Sequence, residues 1–217
     1  ADDRVKEILQ LANDRGLPFL EAPRSELDRN TDGAVHQGVA LRIPPYSYLD
    51  PIDLLEDAFN NEEAAFVVAL DGVTDPRNLG AVIRSSAAFG VDGVLVPERR
   101  AAGMTASAWK TSAGAATRVP VSRAVNLTRS LVEFKRAGCT IIGLDSDGDT
   151  FVQDVSREIA AGPIVLVVGG EATGMSRLVR DTCDMIVSIP MFDETESLNA
   201  GVAAGIALYE LAKIRQP

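Results

Sequence analysis

Three short stretches of this chain hold polar side chains at spacings that could do chemistry. The first is Asp71-Gly-Val-Thr-Asp-Pro-Arg-Asn-Leu-Gly80, continuing to Arg84; the second is Gly169-Gly-Glu-Ala-Thr-Gly174; the third is Pro190-Met-Phe-Asp-Glu-Thr-Glu-Ser-Leu-Asn199. Each sets an amide, hydroxyl, carboxylate or guanidinium beside glycine or proline, which let a backbone turn tightly. Each also has a plain structural reading. Asn78 would cap a helix starting near Leu79 and put Arg84 on its second turn, and Ser197 would cap the last helix. Gly169-Gly170 would form a tight turn needing positive φ. Glu171, directly after that turn, is what tips the second stretch toward chemistry.

Several other chemistries do not fit. Gly169 and Gly174 have the spacing of a GxxxxGK[ST] phosphate loop, but Met175 stands where lysine is required, and no GxGxxG follows a candidate strand. The single histidine, His36, lies beside Asp32-Gly33 in an expected turn; it allows no histidine-rich metal centre and little scope for a Ser-His-Asp triad. Cys139 and Cys183 fall outside any CxxC spacing and read as reduced, partly buried thiols, so no metal is expected. The stretch from Trp109-Lys110 to Gly114 reads as core filler and loop. A net charge of −10 argues, taken alone, against a polyanionic partner. The average hides a local reversal: between Arg99 and Arg136 stand eight basic residues and one acid, Glu133, so that stretch carries +7 and could hold phosphates.

The elements that must position these loops follow from the apolar pattern. With 46% hydrophobic residues the chain can build a core, and its apolar runs are far shorter than the roughly 20 residues of a membrane helix. Nothing in the opening ADDRVKEILQ reads as a secretory signal, so a cytoplasmic location is expected. Runs at 66–70, 94–96, 140–144, 164–168 and 186–189 have the length and continuity of strands buried on both faces of a parallel sheet. Helical segments at 79–89, 127–137, 177–181 and 198–214 lie between and after them, which gives a doubly wound α/β domain. Ligands of such sheets sit beyond the carboxyl ends of the strands, where the three polar loops fall. The paired prolines at 44–45 mark a boundary. Before it, a helix at 5–11, a strand at 17–20, a short helix at 25–30 and a strand at 39–43 make a small α/β piece. The expected division is 1–45, a linker at 46–60, and 61–217.

Taken together, Asn78-x-Gly80-x-x-x-Arg84, then Leu166-Val-Val-Gly169-x-Glu171-x-x-Gly174-Met175, then Ile189-Pro190-Met191 with Ser197-Leu198-Asn199, resemble the three ordered motifs of the SpoU-type RNA 2′-O-ribose methyltransferases. The resemblance spans residues 66–214. Asp71-Gly-Val-Thr-Asp-Pro76 and, upstream, Asp32-Gly-Ala-Val-His-Gln-Gly38 look like the subgroup that methylates a guanosine of large-subunit (23S) ribosomal RNA. The resemblance implies a C-terminal trefoil-knot domain, a homodimer, S-adenosylmethionine as cofactor, and cofactor contacts at Gly169, Ile189 and Leu198. It assigns catalysis to Arg84, with Asn78, Glu171, Ser197 and Asn199 at the other motif positions. Because a guanidinium stays protonated at ordinary pH, Arg84 is expected to grip a phosphate and stabilise a developing alkoxide rather than act as a literal base. The N-terminal piece resembles a ribosomal-protein-like RNA-binding domain that lacks its opening strand and helix. Departures from the family pattern are Asp193 in place of glycine, the added Glu194 and Glu196, and Gly201 in place of serine. A transfer-RNA methyltransferase and a non-catalytic RNA-binding protein of the same fold are the alternatives.

Overall fold

The computed structural model describes residues 3–31, 35–171, 173–192 and 197–216. It divides into two compact units, residues 1–46 and 47–217. The first contains α1 (Asp3–Asp14) and α2 (Arg24–Asn30), neither with a buried residue. No strand forms at 17–20 or 39–43, where the apolar runs had suggested them: Leu20 and Leu41 are largely exposed, and no described strand lies alongside to take their backbone hydrogen bonds. His36 is structural. Its side chain is 6% exposed; Nδ1 accepts from the Gly38 N–H at 3.0 Å, so Nε2 carries the proton toward Asp28 Oδ1, also at 3.0 Å.

The second unit is built on a seven-stranded parallel sheet. Its strands are β1 (Phe66–Asp71), β2 (Gly93–Pro97), β3 (Val121–Ala124), β4 (Thr140–Leu144), β5 (Thr150–Phe151), β6 (Ile164–Gly169) and β7 (Met185–Ser188), in the order β3-β2-β1-β6-β4-β7-β5. β1 and β6 occupy the middle and are buried almost throughout, which is why their sequences read as unbroken apolar runs. Strand order reverses between β1 and β6, so the loops after these two strands diverge and leave a crevice. Their register brings Asp71 beside Gly169.

The expected linker at 46–60 contains a helix, α3 (Pro51–Phe59), with Leu54 and Ala58 fully buried. Asp50 caps it and Pro51 opens it, a position where the missing N–H costs nothing. Gly93 leaves the space that Leu54 fills: a Cβ there would stand 2.4 Å from Leu54 Cδ1. Leu49 bridges to the sheet edge, its N–H donating to the Val121 carbonyl at 3.1 Å and its carbonyl accepting from the Arg123 N–H at 3.1 Å. The Tyr48 ring lies 3.6 Å under the Arg123 guanidinium.

Helices α4 (Pro76–Ala88), α5 (Ala106–Thr111), α6 (Leu127–Arg136), α7 (Arg157–Ala161), α8 (Arg177–Thr182) and α9 (Ala200–Arg215) complete the unit. The 109–114 stretch thus contributes the second half of α5 rather than only a loop, and α5 packs so tightly on α4 that a Cβ on Gly80 would meet the Ala108 carbonyl at 2.5 Å. The basic residues of 99–136 do not form one patch. Arg99 and Arg100 follow the carboxyl end of β2, whereas Arg118 and Arg136 precede β3 and β4 at the opposite edge; Arg129 pairs with Glu133, and Lys135 with Asp184. No helix among the described residues is long and apolar enough to cross a membrane.

Candidate active site

The loop after β1 leads into α4 through Asp75, whose carboxylate accepts from the Arg77 N–H at 2.8 Å and is the helix cap. That hydrogen bond, with the Arg77 side chain, holds the Asp75 carboxyl below its ordinary range. The helix therefore begins three residues earlier than the sequence suggested, and Asn78 lies inside its first turn, buried rather than capping. A similar shift occurs at α9: Asn199, not Ser197, is the cap, its Oδ1 accepting from the Gly201 and Val202 N–H groups at 3.0 and 3.2 Å.

This cap fixes the orientation of the Asn199 amide. With Oδ1 engaged, Nδ2 points back, donating to Asn78 Oδ1 at 2.9 Å and to Glu171 Oε1. Asn78 Nδ2 also donates to Glu171 Oε1, at 3.0 Å, and the Ala200 N–H reaches it at 3.3 Å. One carboxylate oxygen thus gathers donors from α4 and from the start of α9, where the helix dipole favours negative charge. Glu171 closes a ring of three polar side chains drawn from all three polar loops.

Gly169 and Gly170 are needed for close approach, not for positive φ as the sequence reading had it. A Cβ on Gly169 would lie 2.3 Å from the Gly174 carbonyl carbon, and one on Gly170 would lie 2.4 Å from the Gly72 carbonyl oxygen. Among the described residues of that loop, only Gly174, with φ of 61°, takes the left-handed conformation.

Two cavities adjoin at Glu171. The larger, about 270 Å³, is lined by Leu144, Asp145, Gly169, Ile189, Ser197 and Leu198 among others. The smaller, about 130 Å³, is lined by residues 72–75, Asn78, Glu171, Thr173 and Ala200. Glu171, Thr173 and Ala200 line both, so two small bodies held in these cavities would meet there. The larger cavity has apolar walls suited to a flat heterocycle, the glycines at 169, 170 and 174, and the acidic residues Asp145 and Glu171. That set suits a ligand with positive charge and no phosphate.

The structure thus gathers Asn78, Glu171, Ser197, Asn199, Gly169, Ile189 and Leu198 around one crevice. Arg84 stands apart. Six residues beyond Asn78 on α4, it is about 240° around the helix and ~9 Å along it, exposed, and without a hydrogen-bond or ion-pair partner among the described residues. Asp193, Glu194 and Glu196 lie outside the described residues, as do Asp32 and Gly33. The sequence reading missed Leu144, Asp145 and Ser146, although their place just beyond a strand's carboxyl end was a usable signal. No cluster of three or more His, Cys, Asp or Glu residues able to hold a metal occurs among the described residues.

The chain is similar to known proteins in sequence and in fold. The profile of the SpoU rRNA Methylase family matches residues 65–209, and that of the RNA 2′-O ribose methyltransferase substrate binding family matches residues 1–49. A protein of Mycolicibacterium vanbaalenii named "Uncharacterized tRNA/rRNA methyltransferase" is 55% identical over 216 residues, covering 100% of this chain and 68% of its own length. The SpoU methyltransferase AviRb of Streptomyces viridochromogenes, solved with AdoMet, is 32% identical with a TM-score of 0.66, over 73% of this chain and 61% of that one. An AdoMet-bound rRNA methyltransferase of Sinorhizobium meliloti, 23% identical, shares the fold over 97% of this chain and 77% of its own, with a TM-score of 0.75.

Proposed function

The chain belongs to the SpoU rRNA methylase family, and from that premise we propose that it transfers a methyl group from S-adenosylmethionine to a ribose 2′-hydroxyl of RNA. The observation that carries this reading is the pair of cavities meeting at the Asn78–Glu171–Asn199 ring. S-adenosylmethionine, when bound, supplies an electrophilic methyl on a sulfonium. Gly169, Ile189 and Leu198 would hold it in the larger cavity, with Leu144 and Met191 walling the purine. The smaller cavity would take the target ribose, where Asn78 and Glu171 orient it, and Asn199 locks both of them in place. Alignment of this kind accounts for most of what a methyl transfer asks of a protein.

Arg84 would clamp the neighbouring phosphate and stabilise the alkoxide as the hydroxyl proton leaves. Its distance from the ring is resolved by a homodimer. On α9 the exposed Val202, Ile206 and Tyr209 recur at i, i+4 and i+7, an apolar stripe on one face of the helix. Ala81 and Ser85, which flank Arg84 on α4, lie against Gly201 and Gly205 of α9. A second copy packed on that stripe would receive Arg84 beside its own crevice.

The family's trefoil knot is supported by one crossing: residues 145–149 pass over the carboxyl end of β7 to reach β5 on its far side. The substrate we favour is a guanosine of 23S ribosomal RNA, with residues 1–49 contributing to RNA binding, as the match to a substrate-binding family supports. Such work belongs in the cytoplasm. Calorimetric titration with S-adenosylmethionine tests the cofactor site: micromolar binding that is lost in Leu198→Arg supports it, and absence of binding in the parent contradicts it.

A further inference from the structure

Arg180 lies outside both cavities, yet it ties α8, which follows the 169–174 loop, to the segment that supplies Asp145 to the wall of the larger one. Its guanidinium forks across two carboxylates, Nη1 to Asp145 Oδ2 and Nη2 to Asp147 Oδ1, each at 2.8 Å. Both aspartates belong to the segment 145–149 that passes over the end of β7, and Asp145 itself lines the cavity. That segment is already fastened to β7 by hydrogen bonds at both of its ends. The Asp145 N–H donates to the Val187 carbonyl at 2.9 Å, and Ser188 Oγ donates to the Gly148 carbonyl at 3.1 Å. A Cβ on Gly148 would stand 2.5 Å from the Val187 carbonyl carbon. The residue after Ser188 is Ile189, on the cavity's other wall. On the third side, Asp145 Oδ2 approaches the α-carbon region of Gly174, being 3.4 Å from where a Cβ would be.

From this geometry we infer that Arg180 is a positioning residue for the cofactor cavity: its fork sets the spacing between the 144–146 wall, the 169–174 loop and the chain leaving β7. The inference rests on the methyltransferase reading above. A planar guanidinium suits the task because it binds two oxygens in fixed directions, whereas an ammonium is a point charge that cannot hold both carboxylates at a set angle. The group is a third exposed, so solvent screens the pairs and their loss should cost little global stability. The consequence should appear in the shape of the cavity instead.

Calorimetric titration of the full chain with S-adenosylmethionine and with S-adenosylhomocysteine separates the possibilities, because only the first carries a sulfonium charge. Positioning predicts that Arg180→Gln weakens both ligands by the same factor, about tenfold. Arg180→Lys should fall between variant and parent, and the melting temperature of Arg180→Gln without ligand should stay within a few degrees of the parent. Unchanged affinity for both ligands overturns the inference. So does a change confined to S-adenosylmethionine, which would make Arg180 a bare charge near the cofactor, or a collapse of melting temperature, which would make it structural. A parent that binds neither ligand overturns the methyltransferase reading and this inference with it; a parent that binds while Arg180→Gln matches it overturns the inference alone.

Discussion

Asn78 donates to Glu171 at 3.0 Å across 93 residues of sequence. The contact exists because β1 and β6 are neighbours in the sheet, paired from Phe66 with Ile164 to Asp71 with Gly169. The loops leaving those two strands begin side by side. Asn199 closes the ring because its other amide atom is committed to capping α9. The site is thus a property of three helix and strand ends, not of any one loop.

Asn199→Asp separates the two tasks of that residue. Aspartate caps as well as asparagine, but it cannot donate to Asn78 or Glu171 and sets a second carboxylate beside the first. Stability should fall by only about 1 kcal/mol, measured by urea unfolding, while methyl transfer falls ~100-fold through misplacement of the ring. A variant that transfers at the parental rate would show that the ring is scaffolding.

Arg84→Ala should leave stability within about 0.5 kcal/mol, since Arg84 is exposed on a helix that alanine suits. Cofactor binding should stay within a few-fold of the parent. Transfer to RNA should drop by roughly 10³, the scale of losing an electrostatic stabiliser of developing charge. If binding is lost together with transfer, Arg84 is structural.

Glycine at 80 is a packing requirement. Alanine there would press on the Ala108 carbonyl oxygen at 2.5 Å and on Thr111 Cβ at 2.7 Å, forcing α4 and α5 apart. Gly80→Ala should cost about 3 kcal/mol or more in urea unfolding. Gly162→Ala is the control, since its nearest contact would be 3.5 Å, and should shift stability by less than about 0.5 kcal/mol.

Burial pushes the Cys139 and Cys183 thiols up to about 11 from the ordinary 9.0. Between those values an unfolded chain loses these protons while the folded one keeps them. The unfolded state then binds fewer protons, and stability falls as pH rises from about 9 toward 11. Melting curves from pH 8 to 10.5 should therefore decline more steeply for the parent than for a Cys139→Ala, Cys183→Ala double variant. Equal slopes would mean that the thiols ionise freely in the fold.

Five strands were legible because strands buried on both faces read as unbroken apolar runs. β3 was not, since it carries Ser122 and Arg123 at the sheet's edge, and β5 is only two residues long. Helix α3 was hidden because the paired prolines at 44–45 read as a boundary followed by linker, and Asp50-Pro51 was not read as a cap followed by a proline of the first helical turn. The same misreading displaced the start of α4: Asp75-Pro76 is a cap followed by a helix-opening proline, a signal that places Asn78 inside the helix. Which side chains gather at the crevice was legible through the order of three motifs, Arg84 excepted. The separation of Arg84 from Asn78 follows from 100° per residue over six residues. The Arg180 fork was not legible, because nothing in spacing pairs residues 145 and 147 with 180.

The most direct test of the central claim is incubation of the chain with methyl-labelled S-adenosylmethionine and 23S ribosomal RNA, followed by digestion to nucleosides. The account predicts label in a 2′-O-methylated nucleoside, guanosine for the substrate proposed here, appearing roughly 10³ times more slowly with Arg84→Ala. Label in transfer RNA alone would move the substrate and keep the chemistry. Label on a base rather than a ribose, or no label in any RNA from a chain that binds the cofactor, would contradict the account.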